Sequence, residues 1–169
     1  MVQETSCGII PFRRRDGRLE YLLLHSAMVR NPEAAWEFPK GSVEPGESEM
    51  ETALRELREE AGIIAIDVLP DFRDQVHYQY RRGGREIEKT VTFFVGEVYD
   101  WSGLPPHPPT REHVPDPEGG AWCLWLEERE ARLRLFHPGM RQLLERVSFF
   151  LYAHHQKQQR GRPRRAPRT

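Results

Sequence analysis

Lysine is scarce in this chain. Of 25 basic residues only Lys40, Lys89 and Lys157 are lysines, so one that lies beside a motif carries information. Cysteine is scarcer still. Cys7 and Cys123 stand far apart and match no metal or redox spacing, which excludes a disulfide-dense scaffold and a cysteine-ligated metal centre. Both are expected to sit reduced in the core. No apolar run approaches the roughly 18–20 residues of a membrane span, so no membrane partner is expected. The opening "MVQETSCGIIPF" lacks the basic-then-apolar order of a secretory signal, and a cytoplasmic protein is the simplest expectation. No internal repeat is visible, and 169 residues suit one domain with a sizeable core.

Charge is nearly balanced at −1 but unevenly spread. The last thirteen residues, "KQQRGRPRRAPRT" from Lys157 to Thr169, carry +6 and no acid, leaving −7 on residues 1–156. That tail has no apolar residue larger than alanine or proline, so it is expected to be disordered. It serves either solubility or weak contact with nucleic acid or polyphosphate.

Turn signals and periodicity outline a mixed set of elements. "TSCGIIPFRR" and "RLEYLLLHSA" read as strands joined at Asp16-Gly17. "NPEAAWEFPKG" reads as a loop with a short extended piece, and Pro39 bars a helix interior there. "IIAIDVLPDFRDQVHYQY" reads as one or two strands. A hairpin of Val76–Tyr80 with Glu86–Val98 turns at Gly83-Gly84. "WSGLPPHPPTREHVPDPEGG" is a loop with six prolines, too long for mere connection. "AWCLWLEE" is a last strand, and an amphipathic helix starts near Pro138. Strands interspersed with two helices predict an α/β protein with helices on a mixed sheet.

The most informative stretch is "GSVEPGESEMETALRELREEAGI", Gly41 to Ile63. Ser48 and Glu51 form a capping box, and Gly62 ends the helix. At about 100° per residue, Met50, Ala53, Leu54, Leu57 and Ala61 fall in one arc that should pack on the sheet. Glu56, Glu59 and Glu60 then form a carboxylate face beside that arc. The placement is unfavourable: each like-charged pair three or four apart costs roughly 0.2–0.5 kcal/mol. The helix dipole adds about 0.3–1 kcal/mol for each glutamate near its negative end. A solvated acidic surface would place Lys or Arg there at lower cost. A divalent cation removes the objection, because converging hard oxygens suit magnesium or manganese.

The full pattern is G-x5-E-x7-R-E-U-x-E-E-x-G-U, with U a bulky aliphatic residue. Gly41, Glu47, Arg55, Glu56, Leu57, Glu59, Glu60, Gly62 and Ile63 fill it. This resembles the Nudix box without departure, and the resemblance extends over roughly residues 5–155. It implies the Nudix fold, an α/β/α sandwich with a mixed sheet, over a domain of residues 1–156. It implies a pyrophosphohydrolase, with Gly41, Glu56, Glu59 and Glu60 holding Mg2+ or Mn2+, and Arg55 orienting Glu56 or Glu47. The general base is a box glutamate or one on the late loop, where Glu112 and Glu118 are the candidates.

Outside the box, "CGIIPFRR", "EYLLLHS", "WEFPKGSVEPGES" and "EKTVTFFVGEV" resemble one branch of the family, the asymmetrical diadenosine tetraphosphate and related dinucleoside polyphosphate hydrolases. That likeness implies cleavage to ATP and AMP, with Lys89 reaching a phosphate. Lys40 is a candidate for the same task or a surface lysine. His77, Tyr78 and Tyr80 lie on one strand, with the two tyrosines on one face, and offer a platform for a base. Trp36, Trp122 and Trp125 read as packing residues. Other Nudix substrates, nucleoside triphosphates or the 5′ end of RNA, are the second reading. A nucleotide-binding sensor that does not cut is the reading from another class, and the intact box argues against it.

Overall fold

The computed structural model describes residues 1–25, 35–105, 109 and 121–162. Two hairpins build its sheet. β1 (Val2–Arg15) and β2 (Arg18–His25) pair antiparallel across Asp16-Gly17, where both residues have positive φ, 51° and 75°. A two-residue turn that follows the strand twist needs that backbone, and Asp-Gly supplies it. β6 (Asp74–Arg82) and β7 (Arg85–Val98) close the same way over Gly83-Gly84. The hairpins then join through β1 and β7, which run parallel from Val2 beside Ile87 to Phe12 beside Glu97. Shorter strands complete the sheet: β3 (Trp36–Glu37), β4 (Lys40–Ser42), β5 (Ile66–Val68) and β8 (Cys123–Glu127). The main order is β3-β2-β1-β7-β5, with β4 on β1, β6 on β7 and β8 on β2.

Among the described residues, three helices cover it: α1 (Glu49–Ala61), α2 (Glu128–Arg134) and α3 (Pro138–Arg160). Side-chain alternation along the strands sorts the core into two layers. Cys7 and Ile9 of β1, Leu22 and Leu24 of β2, and Phe94 and Val98 of β7 pack with Ala53, Leu57 and Ala61 of α1. The residues between them, Ile10 and Phe12, Tyr21 and Leu23, Val91, Phe93 and Val95, pack with α2 and α3. This is the expected α/β/α sandwich. Tyr21 buries its ring completely and shares a hydrogen bond of 2.7 Å with Ser148 of α3. Cys7 is buried and Cys123 half-buried, both as free thiols. Trp36 and Trp122 are buried and Trp125 partly so.

The local signals of α1 hold. Ser48 caps Glu51 and Glu51 caps Ser48 in return, and Gly62 takes the left-handed conformation at φ 69°. The buried face is rotated from the expected one, however. Leu54 is 38% exposed, whereas Glu60 is only 6% exposed and lies inside the buried arc with Thr52, Ala53, Leu57 and Ala61. The helix turns this way because β4 receives the side of α1 that holds Glu56 and Glu60. Two further differences concern ends and small elements. The seven residues of α2 are too few for a periodic pattern to show, so the described residues hold three helices where two were expected. Helix α3 runs to Arg160, so Lys157 to Arg160 are helical; no breaker precedes Gly161.

The rotation of α1 makes an unequal pair of leucines. Leu57→Ala should cost about 2–5 kcal/mol, as for a fully buried leucine. Leu54→Ala should stay within about 0.5 kcal/mol of the parent. Urea unfolding followed by circular dichroism measures both, and equal losses would contradict the orientation of α1.

Candidate active site

The loop before α1 and the helix itself meet on one guanidinium. Arg55 donates from Nε to Glu47 Oε1 at 2.6 Å and from Nη2 to Glu47 Oε2 at 3.0 Å, a two-pronged pairing. The same Nη2 reaches the Ser42 carbonyl at 2.9 Å, while Nη1 donates to Glu56 at 2.9 Å and to Glu59 at 3.1 Å. Arg55 is mostly buried, and its charge is held above the ordinary arginine value by Glu47, with Glu56 adding to it. Glu47 answers in kind. The Arg55 guanidinium and then the Thr52 hydroxyl, which donates at 2.8 Å, hold its carboxyl down at about 2. So Arg55 orients both glutamates that the sequence offered it, and Glu59 as well.

Gly41 has a steric role. A Cβ added there would lie within the Glu56 carboxylate, so only glycine lets that carboxylate rest on β4. Cys7 of β1 pairs with Gly41, which fixes the position of this backbone. Glu60 is placed by the neighbouring residue: the Lys40 backbone N–H donates to Glu60 Oε2 at 2.9 Å. Burial pushes the Glu60 carboxyl up to about 8, although Lys40 pulls the other way; Glu56 adds to the rise.

The three glutamates therefore do not form one exposed face. Glu56 and Glu59 bring one oxygen each to a single Arg55 nitrogen, whereas Glu60 turns inward to Lys40. Among the described residues no group of three metal-ligating side chains is drawn together. The donor chemistry nevertheless suits a hard divalent cation, since two carboxylate oxygens already converge on a cationic point beside the Gly41 backbone.

Lys40 also faces a second feature. Its ammonium, 14% exposed, pairs with Glu37 at 3.1 Å. Burial is the strongest single influence and works against that charge, but Glu37, with Tyr78 and Glu60 adding to it, keeps the lysine above its ordinary value. Both side chains line a cavity of about 320 Å³ with Trp36, Tyr78, Tyr80 and His137. The Tyr78 ring lies 4.5 Å from that of His137 and 6.1 Å from that of Tyr80. Lys89 is opposite Tyr78 across β6–β7 and beside Glu4 across β1–β7. Burial and then the Lys40 charge lower its pKa. Lys40 is thus no simple surface lysine. Glu4 accepts from the Tyr80 hydroxyl at 2.7 Å and pairs with Arg82.

His77 stands apart from this group. It alternates to the other face of β6, where Nδ1 meets the Thr90 hydroxyl at 2.9 Å. Glu112 and Glu118 lie outside the described residues. The segment leading to them starts beside α1: Pro105 and Pro109 come within 3.3 and 3.7 Å of where a Gly62 side chain would begin. Glu37 and His137 were missed in the sequence. Glu37 sits within "WEFPKG", three residues from Lys40, but nothing local shows that the two pair across a cavity wall. His137 was legible only as the residue before a helix, and it does cap α3 by accepting from the Gly139 N–H.

The capped helix, the arginine hub and the mixed sheet define a class, and comparison with known proteins agrees. The NUDIX domain model matches residues 3–147, and the chain belongs to that family, the Nudix hydrolases. Among relatives, the pig (Sus scrofa) bis(5′-nucleosyl)-tetraphosphatase [asymmetrical] is 41% identical over 104 residues, which span 57% of this chain and 66% of that protein. An RNA pyrophosphohydrolase of Sulfurovum sp. is 29% identical over 51% of this chain and 46% of its own length. The crystal structure of the C. elegans Ap4A hydrolase superposes with a TM-score of 0.68 at 26% identity, covering 89% of this chain and 99% of that one. No helix among the described residues is long and apolar enough to cross a membrane.

The buried carboxyl of Glu60 has a pH signature. A glutamate in the unfolded chain ionises near about 4.3, well below about 8 in the fold. Between those values the folded chain binds more protons, so this group's stabilising contribution is lost as pH rises. In chelator, the melting temperature of the parent minus that of Glu60→Gln should fall from about pH 5 to about pH 8 and level off beyond. A difference that rises across this window would refute the burial of Glu60.

Proposed function

We propose that the chain hydrolyses a pyrophosphate bond in a nucleotide, and that its substrate is a dinucleoside polyphosphate, with diadenosine tetraphosphate cut to ATP and AMP. The observation that carries this reading is the position of Lys40. Its backbone holds Glu60 of the carboxylate helix, and its side chain, paired with Glu37, lines the aromatic cavity. A base on Tyr78 and Tyr80 would therefore lie at a fixed distance from the glutamates, and a fixed distance selects one phosphate along a chain. Lys40 and Lys89 would hold phosphate oxygens between the two. Stacking on such rings is worth about 1–3 kcal/mol per base, enough to set the register of a flexible polyphosphate. His77 is left out of this assignment, since it lies on the other sheet face.

Glu56 and Glu59, with the Gly41 carbonyl and Glu60, would hold Mg2+ or Mn2+. When bound, such an ion neutralises phosphate charge and makes water a stronger nucleophile. The work of Arg55 is to keep Glu47, Glu56 and Glu59 in register. A glutamate must accept the proton of the attacking water, and Glu112 and Glu118 stay candidates beside the box glutamates. The named relatives support the dinucleoside substrate. A second reading, hydrolysis at the 5′ end of RNA, is favoured by a relative of that name and by the cationic C-terminal end. A sensor that binds without cutting would not need both a full set of box glutamates and a buried arginine to orient them. A cytoplasmic setting accords with this chemistry.

Two outcomes test the proposal. With diadenosine tetraphosphate and magnesium, product chromatography should give ATP and AMP, and Glu59→Gln should slow turnover at least about 100-fold. Two ADP, or consumption of only triphosphates or RNA 5′ ends, would replace the substrate; near-normal turnover in the variant would remove Glu59 from the site.

Divalent ions should also stabilise the fold without substrate. An ion binding only the folded state adds about 2.7 kcal/mol at one hundred times its Kd. For a chain of this size that raises the melting temperature by roughly 5–10 °C. Sodium at matched ionic strength should do much less. The increment should shrink in Glu56→Gln/Glu59→Gln, and a parent indifferent to magnesium and manganese would exclude the metal site.

A further inference from the structure

The far end of α3 carries features that the nucleotide site does not use. Phe149 is 76% exposed and Tyr152 is 66% exposed, while Leu143, Leu144, Val147 and Leu151 bury the opposite side of the helix. At about 100° per residue, Tyr152, Gln156 and Arg160 all fall within about 60° of Phe149, so the rings and the cationic end share one stripe. Exposed Lys157, Arg160 and Arg162 follow, and the sequence continues with three more arginines. From Arg146 to Thr169 there is no acidic residue, in a chain that holds 26. The nearest carboxylate on the stripe, Glu145, is taken by Arg132 of α2. The start of helix α3 places His137 and Met140 at the cavity wall, and at about 1.5 Å rise per residue the aromatic pair lies roughly 14–18 Å beyond Met140.

We propose that this stripe is a binding surface for single-stranded nucleic acid, with Phe149 and Tyr152 stacking on bases and Lys157, Arg160 and Arg162 neutralising phosphates. The charge requires a polyanion. The rings select one with open base faces, which a duplex hides and inorganic polyphosphate lacks. A lipid surface would call for a continuous apolar face, and here Gln142, Glu145 and Gln156 interrupt it. The surface is separate from the nucleotide cavity, so the proposal stands whichever Nudix substrate the chain cleaves.

The test is fluorescence anisotropy in chelator with a labelled 12-nucleotide oligoadenylate bearing a 5′ hydroxyl, which offers no pyrophosphate. The parent should bind, with affinity falling steeply as salt rises. Phe149→Ala/Tyr152→Ala should weaken binding at least about tenfold at fixed salt and leave the log–log salt slope unchanged. Arg160→Gln/Arg162→Gln should lower that slope by about 1.4, at roughly 0.7 per phosphate contact for a single strand. Both variants should keep parental helicity and parental turnover of a dinucleotide, since neither touches the cavity. Equal binding by Phe149→Ala/Tyr152→Ala, or equal affinity for a duplex of the same length, would overturn the proposal. So would tighter binding to anionic vesicles than to the oligonucleotide. Self-association that the alanine pair abolishes, without oligonucleotide binding, would overturn it too by assigning the face to a second copy of the chain.

Discussion

The Arg55 guanidinium is the interaction on which the site depends. Three glutamates and one backbone carbonyl accept hydrogen bonds from it, from the loop before α1, from α1 itself and from β4. Without a cation at that point, Glu47, Glu56 and Glu59 would repel one another in a partly buried place. A lysine could supply the charge but not the fork: Glu47 is held through two nitrogens at once, and a third nitrogen position serves Glu56 and Glu59. The segment Gly41–Glu47 is thereby anchored at its last carboxylate to a helix residue eight positions on.

Around that hub, β4 acts as the hinge between two chemistries. It is three residues long and pairs with Ser6 to Gly8 of β1. Gly41 makes room for the Glu56 carboxylate, and the Lys40 N–H takes Glu60. On the other side the Lys40 ammonium enters the wall of the aromatic cavity with Glu37. A charged helix and an apolar, aromatic recess would otherwise lie on opposite faces of a sheet with no fixed relation. One residue, sharing backbone with the first and side chain with the second, sets their spacing. Helix α3 extends the same logic outward, because its first turn helps to build the cavity and its last turns carry exposed rings and cations.

Much of the candidate site was readable as spacing. Ser48, Glu51 and Gly62 act within one turn of the backbone, so their meaning does not depend on the rest of the fold. The parity of Tyr78 and Tyr80 follows from the two-residue period of a strand, and the same period puts His77 on the other face, where it is found against Thr90. The pairing of Arg55 with Glu47 or Glu56 was expected as a choice between the two and is found with both. Glu112 and Glu118 lie outside the described residues.

The sequence by itself determined the boundaries of α1, the two tight hairpins and the family, because each is set by neighbours a few residues away or by a long exact spacing. Ala53, Leu57 and Ala61 face inward as their spacing predicts, but tertiary structure alone decided how far α1 is rotated about them. On a helical wheel Leu54 lies at one edge of the apolar arc and Glu60 just beyond the other, yet Leu54 is exposed and Glu60 buried. The wheel treats the core as a uniform oil. In the fold, the place beneath Glu60 holds a backbone N–H of β4 that needs an acceptor, and a carboxylate satisfies it where a leucine cannot. Lys40 changed from a surface candidate to a wall of the cavity for the same kind of reason: its partner Glu37 and the rings around it are brought together only when β3, β4 and β6 close on the first turn of α3.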